Sequence, residues 1–262
     1  MDIAPLIGLI LGFGALIGGS AVEGLHLSAL MQPTAAIIIL GGTFGATFTS
    51  FPLSVAFGAF RDASKVFRPI SLDDSRRLIA DICAFAAQAR KNGLLALEQE
   101  AKSHRDRFVR KAISLSVDGV DPVDIQALLE TDMGADEEHA KQSADFFEAA
   151  GGYAPTIGII GAVIGLIHVM SNLEDPGQLG AGIAVAFVST IYGLVLANIV
   201  CLPIASKIRF LIKEEIVCKE IVIAGICAMQ SGQNPRLIGE RLNAYLGTRA
   251  DKTAAGGAEG GS

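Results

Sequence analysis

Gly182, Ala186, Thr190, Gly193 and Ala197 recur at steps of four and three. On a helix that spacing puts all five on one face over about four turns. Pro155, Gly158, Ala162 and Gly165 repeat the pattern upstream. Small faces let helix backbones approach closely in lipid, where no hydrophobic drive pulls helices together. Two readings follow: packing alone, or a close-packed lining around another helix or a narrow polar path. In the second, Thr190 supplies the one hydroxyl, although a bond to its own backbone competes for it. Ion carriers in membranes are ionisable side chains facing the interior. The apolar runs of this chain contain no Asp or Glu. His168 is the one intramembrane candidate, near the outer end of its run, where interfacial packing is the rival reading. If the chain moves protons, their main carrier therefore comes from another chain.

Other chemistries are poorly served. The polar segments show no nucleophile–base set, metal-ligand cluster or phosphate loop, so neither an enzyme nor a bound metal or cofactor is expected. The glycine pairs lie in apolar runs and follow no strand. Cys83, Cys201, Cys218 and Cys227 have neither CxxC nor metal spacing and read as small apolar residues. A net charge of −6 argues against nucleic acid.

The elements that must position these residues are membrane helices. Four apolar runs are long enough for a hydrocarbon core of about 30 Å. The first is Ile3 to Val22, without the basic flank of a signal peptide. The second lies within Pro33 to Phe60, and the last two within Gly151 to Ile208. Gly8, Gly12, Gly14 and Gly18, then Gly41, Gly42 and Gly45, carry GxxxG spacings that mark helix contacts. Thirteen of the 21 basic residues lie between Arg61 and Lys141 and the other eight between Lys207 and Lys252. The loops from Glu23 to Gln32, with His26, and from Ser171 to Gly180 have none. By the positive-inside rule the basic segments are cytoplasmic, and both termini with them.

The expected architecture is an all-α, polytopic membrane protein with four transmembrane helices and a helical cytoplasmic segment between helices two and three. Residues 1–54 hold helices one and two, 55–150 the cytoplasmic segment, 151–206 helices three and four, and 207–252 a cytoplasmic C-terminal helical region. Residues 253–262 are rich in Gly and Ala and read as a disordered tail. In the cytoplasmic segment Ser54 to Val66 reads as an amphipathic or continued helix, and Ser71 or Asp73 caps a helix through Arg76 to about Arg90. Gly93 interrupts before a helix from Leu94 to about Lys102, and a basic stretch runs from His104 to Lys111. Asp121-Pro122 starts another helix by cap and N1 proline, running towards Ala150.

The stretch Ala89-Arg90-Lys91-Asn92-Gly93-Leu94-Leu95-Ala96-Leu97-Glu98 resembles the cytoplasmic signature of the MotA/PomA family, the larger stator subunit of the bacterial flagellar motor. The resemblance extends to Gln32-Pro33-Thr34-Ala35 with Gly41-Gly42-Thr43, to Pro155 through Gly161, to Ala184 through Gly193, and to Leu202-Pro203-Ile204-Ala205. It covers nearly the whole chain apart from the tail.

The resemblance implies five copies around two single-span MotB/PomB-type partners, with ion flow past a membrane aspartate of the partner turning the ring. It implies Arg90 and Glu98 as charges facing the rotor protein FliG, with Lys91 a lesser candidate; alone, each would be an ordinary solvated charge. Pro155 and Pro203 match the family's third- and fourth-span prolines, and a structural kink accounts for either equally well. Thr190 matches the threonine lining the ion path. Sodium-driven relatives carry a second threonine seven residues after the first proline; here that position is Ala162, which favours protons over sodium. An ExbB/TolQ-type energiser of an outer-membrane process is the nearest alternative, though it has three spans. A stand-alone channel is another, opposed by the missing carboxylates and the lack of inverted repeats.

Overall fold

The computed structural model describes residues 2–24, 27–67, 72–171 and 176–258. The described residues are helical and form no strand. The order is α1 (Ala4–Val22), α2 (Leu27–Leu30), α3 (Pro33–Ser50), α4 (Leu53–Ala63), α5 (Leu72–Asn92), α6 (Glu98–Ser103), α7 (Arg107–Val117), α8 (Pro122–Ser171), α9 (Pro176–Val195), α10 (Leu202–Gln230) and α11 (Pro235–Ala258). Short 3-10 turns cover Ser64–Phe67 and Leu94–Leu97, and a π turn, Leu196–Cys201, joins α9 to α10. Four helical stretches are long and apolar enough to cross a membrane, in Ala4–Val22, Pro33–Ser50, Pro122–Ser171 and Gly182–Gln230. The chain is a multi-pass all-α membrane protein.

Two compact units divide the chain, one from Met1–Pro69 with His139–Leu211, the other from Ile70–Glu138 with Ile212–Ser262. These boundaries depart from those expected at 54, 150 and 206. For α4 and the start of the α8 stretch, a phenylalanine cluster accounts for the grouping. Phe44, Phe48 and Phe51 from the end of α3, Phe60 from α4, and Phe146 and Phe147 from α8 stack at centroid distances of 5.5–6.2 Å. Asp62 accepts a 2.8 Å hydrogen bond from Ser143 beside them. So α4 and the stretch of α8 from His139 belong to the membrane unit by packing, whatever their polarity.

The second unit has its own core, built on Ile82, Val109, Ile113, Ile125, Leu129 and Ile226, all at 0% exposure. The stretch expected only to be basic is mostly helical here. Asp106 caps α7 by accepting from the amides of Phe108 at 2.7 Å and Val109 at 3.3 Å. Phe108, Val109, Ala112 and Ile113 then face inward, while Arg107, Arg110 and Lys111, interleaved with them, disguise the apolar face. Asp121 caps α8 as expected, accepting from Val123 at 2.9 Å. Lys219 is buried, with Nζ 2.7 Å from Asp136 and 3.2 Å from Glu215. Helix α11 continues to Ala258, six residues into the expected tail, where Ala254 and Ala255 favour helix although Gly256 and Gly257 do not. Residues 259–262, His26 and the Ser71 cap lie outside the described residues, as does the side chain of Asp73.

Candidate functional site: a helix seam and a charged surface

The two small-residue stripes meet each other. A methyl group on Gly193 would lie 2.5 Å from the Ala154 carbonyl oxygen and 3.2 Å from the Gly158 Cα. On Gly165 it would lie 2.8 Å from the Ala186 amide nitrogen and 2.9 Å from the Gly182 oxygen. On Gly158 it would sit 3.2 Å from the Ser189 oxygen, and on Gly182 2.6 Å from Val169 Cγ2. Gly158, Gly165, Gly182, Ala186 and Gly193 thus form an antiparallel seam between α8 and α9 in which backbone touches backbone. Between the two sequence readings, the contacts favour packing for these residues. Ala197 is 1% exposed in the π turn, whose neighbour Ile199 lies against Gly12 of α1. Small residues are needed here because a wider spacing would leave nothing to hold two apolar helices together in lipid.

The polar groups of this unit sit along and beside the seam. Thr190 is half-buried, and its hydroxyl donates to the Ala186 oxygen over 3.4 Å, a long bond that leaves it available to a better partner. Ser189 is buried, donates to the Val185 oxygen at 2.7 Å, and faces Gly161. Thr43 and Thr47 on α3 are fully buried; the Thr47 hydroxyl donates to the Thr43 oxygen at 2.8 Å. Tyr192 donates to the Leu30 oxygen at 2.6 Å, pinning the turn before α3. Sequence reasoning passed over Ser189, Thr43, Thr47 and Tyr192. A hydroxyl in an apolar run looks like packing until its burial or its partner is visible, and only the close spacing of Ser189 to Thr190 hinted at a polar patch. Ala162 is half-buried, as is Pro155 inside α8. Pro203 is exposed, second in α10 and directly after the π turn. His168 is exposed near the end of α8, with its ring edge beside Gly182.

In the other unit Arg90 and Lys91 lie exposed in the last turn of α5, and Glu98 lies exposed in the first turn of α6. Gly93 has φ of +82°, a left-handed conformation that favours glycine, and it turns the chain between them. Gln88 Nε2 donates to the Ala96 oxygen at 2.9 Å and closes that turn. Glu98 is not a solitary charge. Lys102, four residues on, lies 2.6 Å away, and its hydrogen bond holds the Glu98 carboxyl below the usual range. Such an exposed pair is worth only about 0–1 kcal/mol and is readily exchanged for another partner. In the membrane unit, Arg209 pairs with Asp145 at 2.9 Å and with Glu148, and Lys207 pairs with Asp2 at 2.6 Å. Arg209 holds the Glu148 carboxyl below its ordinary value by donating a hydrogen bond, which outweighs slight desolvation.

Fold and site together define a class: a multi-pass membrane protein with a close-packed apolar helix pair, no acid within its spans, and a separate charged helical unit. Comparison with known proteins is specific. Residues 100–220 match the model of the MotA/TolQ/ExbB proton channel family, and residues 6–93 match that of the motility protein A N-terminal region. The chain is 37% identical to the chemotaxis protein PomA of Vibrio alginolyticus over 94% of this chain and 96% of that protein. It is 36% identical to motility protein A of Treponema pallidum, over 96% of each. Among solved structures, MotAB of C. jejuni has a TM-score of 0.88 at 26% identity, covering 94% of this chain and 96% of that one. The flagellar MotAB stator complex of Bacillus subtilis has a TM-score of 0.85 at 33% identity, covering 95% and 98%. The chain belongs to the motility protein A (MotA/PomA) family.

Proposed function

We propose that the chain is the ring-forming subunit of a flagellar stator which, with a single-span MotB-type partner, couples inward proton flow to torque on the rotor. The observation that carries this is the lack of any Asp or Glu in the four apolar runs, beside a half-buried Thr190. A conducting membrane protein without an ionisable group of its own depends on a carrier brought by another chain. The MotAB structures are of complexes of two kinds of subunit, which supports such a partner. The carrier is an aspartate of that partner, and the copies of this chain, five by family resemblance, surround it. Both basic segments lie on the cytoplasmic side, in keeping with the positive-inside rule. Arg90, Lys91 and Glu98 face the rotor protein FliG, where exposed charges set register and encounter rate more than affinity.

Ala162 in place of a second hydroxyl supports protons as the coupling ion, since sodium needs several oxygens to replace its water shell. In this reading Thr190 with Ala162, Pro155 and Pro203 borders the path. The test is deletion of the gene with flagella counted by microscopy, then complementation in low and normal sodium. Filaments that form but do not turn, restored equally at both sodium levels, are the expected result. Arg90→Ala and Glu98→Lys should lower torque at unchanged membrane content. A steep sodium dependence would overturn the proton assignment. Normal swimming of the deletion, in a strain without any second stator, would overturn the motor role and direct attention to outer-membrane uptake.

A further inference from the structure

The π turn of span four leaves a backbone oxygen without a donor. The Leu202 amide donates to the Ala197 oxygen, five residues back. In an α-helix that amide would serve Asn198. The next amide that could reach Asn198 belongs to residue 203, a proline, which has none. The Asn198 carbonyl has therefore lost both its α and its π donor. Its own side chain does not substitute, because Nδ2 donates to the Leu194 oxygen at 3.0 Å, leaving Oδ1 as a second open acceptor. Among the described residues no side chain donates to either oxygen.

Asn198 is exposed, and so are Phe187, Ile191 and Leu194, which share its helix face at steps of four, three and four. The face is apolar except at this point. A backbone acceptor is not left bare in hydrocarbon, so something must cover it. A second copy of this chain is badly equipped to do so. The half-buried hydroxyl of Ser20 and the exposed ones of Thr49, Ser50, Thr156 and Ser171 each already donate to a carbonyl of their own helix, which leaves the exposed Thr34 in the first turn of α3. No Asp, Glu, Lys or Arg lies between Asp175 and Lys207, so the site is neutral. Two uncharged oxygen acceptors on one residue fit water. π turns of this kind are frequent at functional sites.

We propose that the π turn at Asn198 holds water and is a station on the ion path between Thr190 and the side bearing Lys207. This rests on the proton-stator reading for its place on the path, while the presence of water rests on the backbone geometry alone. A proton passes as hydronium through the held water, and no bond of the protein is made or broken.

The test uses the full chain with its cognate MotB-type partner in native membranes. Asn198→Cys is made in a background with Cys83, Cys201, Cys218 and Cys227 replaced, and is treated with a water-soluble methanethiosulfonate. Ile10→Cys, exposed on the apolar helix α1, is the reference for an apolar span surface. Because the thiolate is the reactive form and needs water, Asn198→Cys should label at least about tenfold faster than the reference. Equal rates would overturn the water site, whatever becomes of the motor reading. Proton flux is then compared in Asn198→Leu and Asn198→Ser at matched membrane content. Flux lowered severalfold in the leucine variant and largely kept in the serine variant is expected. Undiminished flux in Asn198→Leu would overturn its place on the ion path.

Discussion

Replacing Gly193 by alanine tests whether the seam is as tight as its backbone contacts make it. The added methyl would lie 2.5 Å from the Ala154 oxygen and 3.2 Å from the Gly158 Cα. Both obstacles are main-chain atoms, so no rotamer change relieves them. Ordinary contact distance requires α8 and α9 to part locally by about 1 Å, and a gap of that size already forfeits a quarter to a half of each neighbouring contact. Overpacking of this kind costs about 1–3 kcal/mol, which is about 5- to 150-fold in the folding equilibrium. Gly165→Ala, with its nearest atoms at 2.8 and 2.9 Å, should rank just below it, and Gly158→Ala, at 3.2 Å, lower again. Gly151→Ala should be milder than the seam glycines, because its nearest obstacles, Leu202 Cγ and Cδ2 at 2.8 Å, belong to a side chain and not to the backbone. Gly8→Ala meets nothing within 4 Å and should be neutral or slightly stabilising through helix propensity. Thermal unfolding of the detergent-purified complex, followed by size-exclusion chromatography, gives the ranking. If Gly193→Ala survives heating as well as Gly8→Ala, the seam is not a backbone contact and the packing argument fails.

Two further expectations concern the membrane unit's polar and aromatic clusters. Burial pushes the Asp62 carboxyl up, but the Lys65 ammonium 2.7 Å away and the Ser143 hydroxyl outweigh it and leave it below the usual range. The ionised form is thus favoured by folding. Its contribution is complete above the ordinary carboxylate pKa of 3.8 and fades as pH falls through the lowered native value. Asp62→Asn should cost about 1–2 kcal/mol at neutral pH and flatten the acid side of the stability profile; superimposable pH profiles of variant and parent would refute this. Phe146 is fully buried among the rings of Phe48, Phe51, Phe60 and Phe147, so Phe146→Ala should cost about 3–5 kcal/mol. Phe57, 73% exposed, gives a control whose alanine variant should unfold at nearly the parental temperature in detergent, and equal losses at the two positions would contradict the assigned core.

The membrane helices were legible because their signal is compositional. Runs such as Ile3 to Val22 carry no charge, and lipid permits little besides helix. Caps at Asp121 and the turn at Gly93 were legible because side-chain and backbone chemistry there is local. What escaped was set by contacts between distant segments. Helix α7 hid behind Arg107, Arg110 and Lys111, and its apolar face became evident only where Ile113 and Val109 enter a core shared with α5 and α10. The join of α4 to α8 depends on Phe60 meeting Phe146, residues far apart in sequence. Lys102 beside Glu98 sits at plain i, i+4 spacing and was available to inspection, but a signature taken as a unit drew attention from its neighbour. The π turn has no sequence mark except Pro203, and a proline there fits a kink equally well.

The seam also restricts how a stator of this kind can work. Small-residue stripes invite a picture in which span three slides on span four as an ion passes. Yet Gly193 against Ala154, and Gly165 against Ala186 and Gly182, are contacts with almost no free space, and Tyr192 further ties α9 to the Leu30 carbonyl before α3. Helices locked backbone to backbone switch between discrete packings rather than sliding. With Arg209 bridging Asp145 and Glu148 beyond the seam, the cheaper motion carries α8 and α9 together as one piece. On the proposed mechanism the step must then occur at the surface this pair offers to its partner, near Thr190 and Ala162, with the seam passing on the displacement without absorbing it.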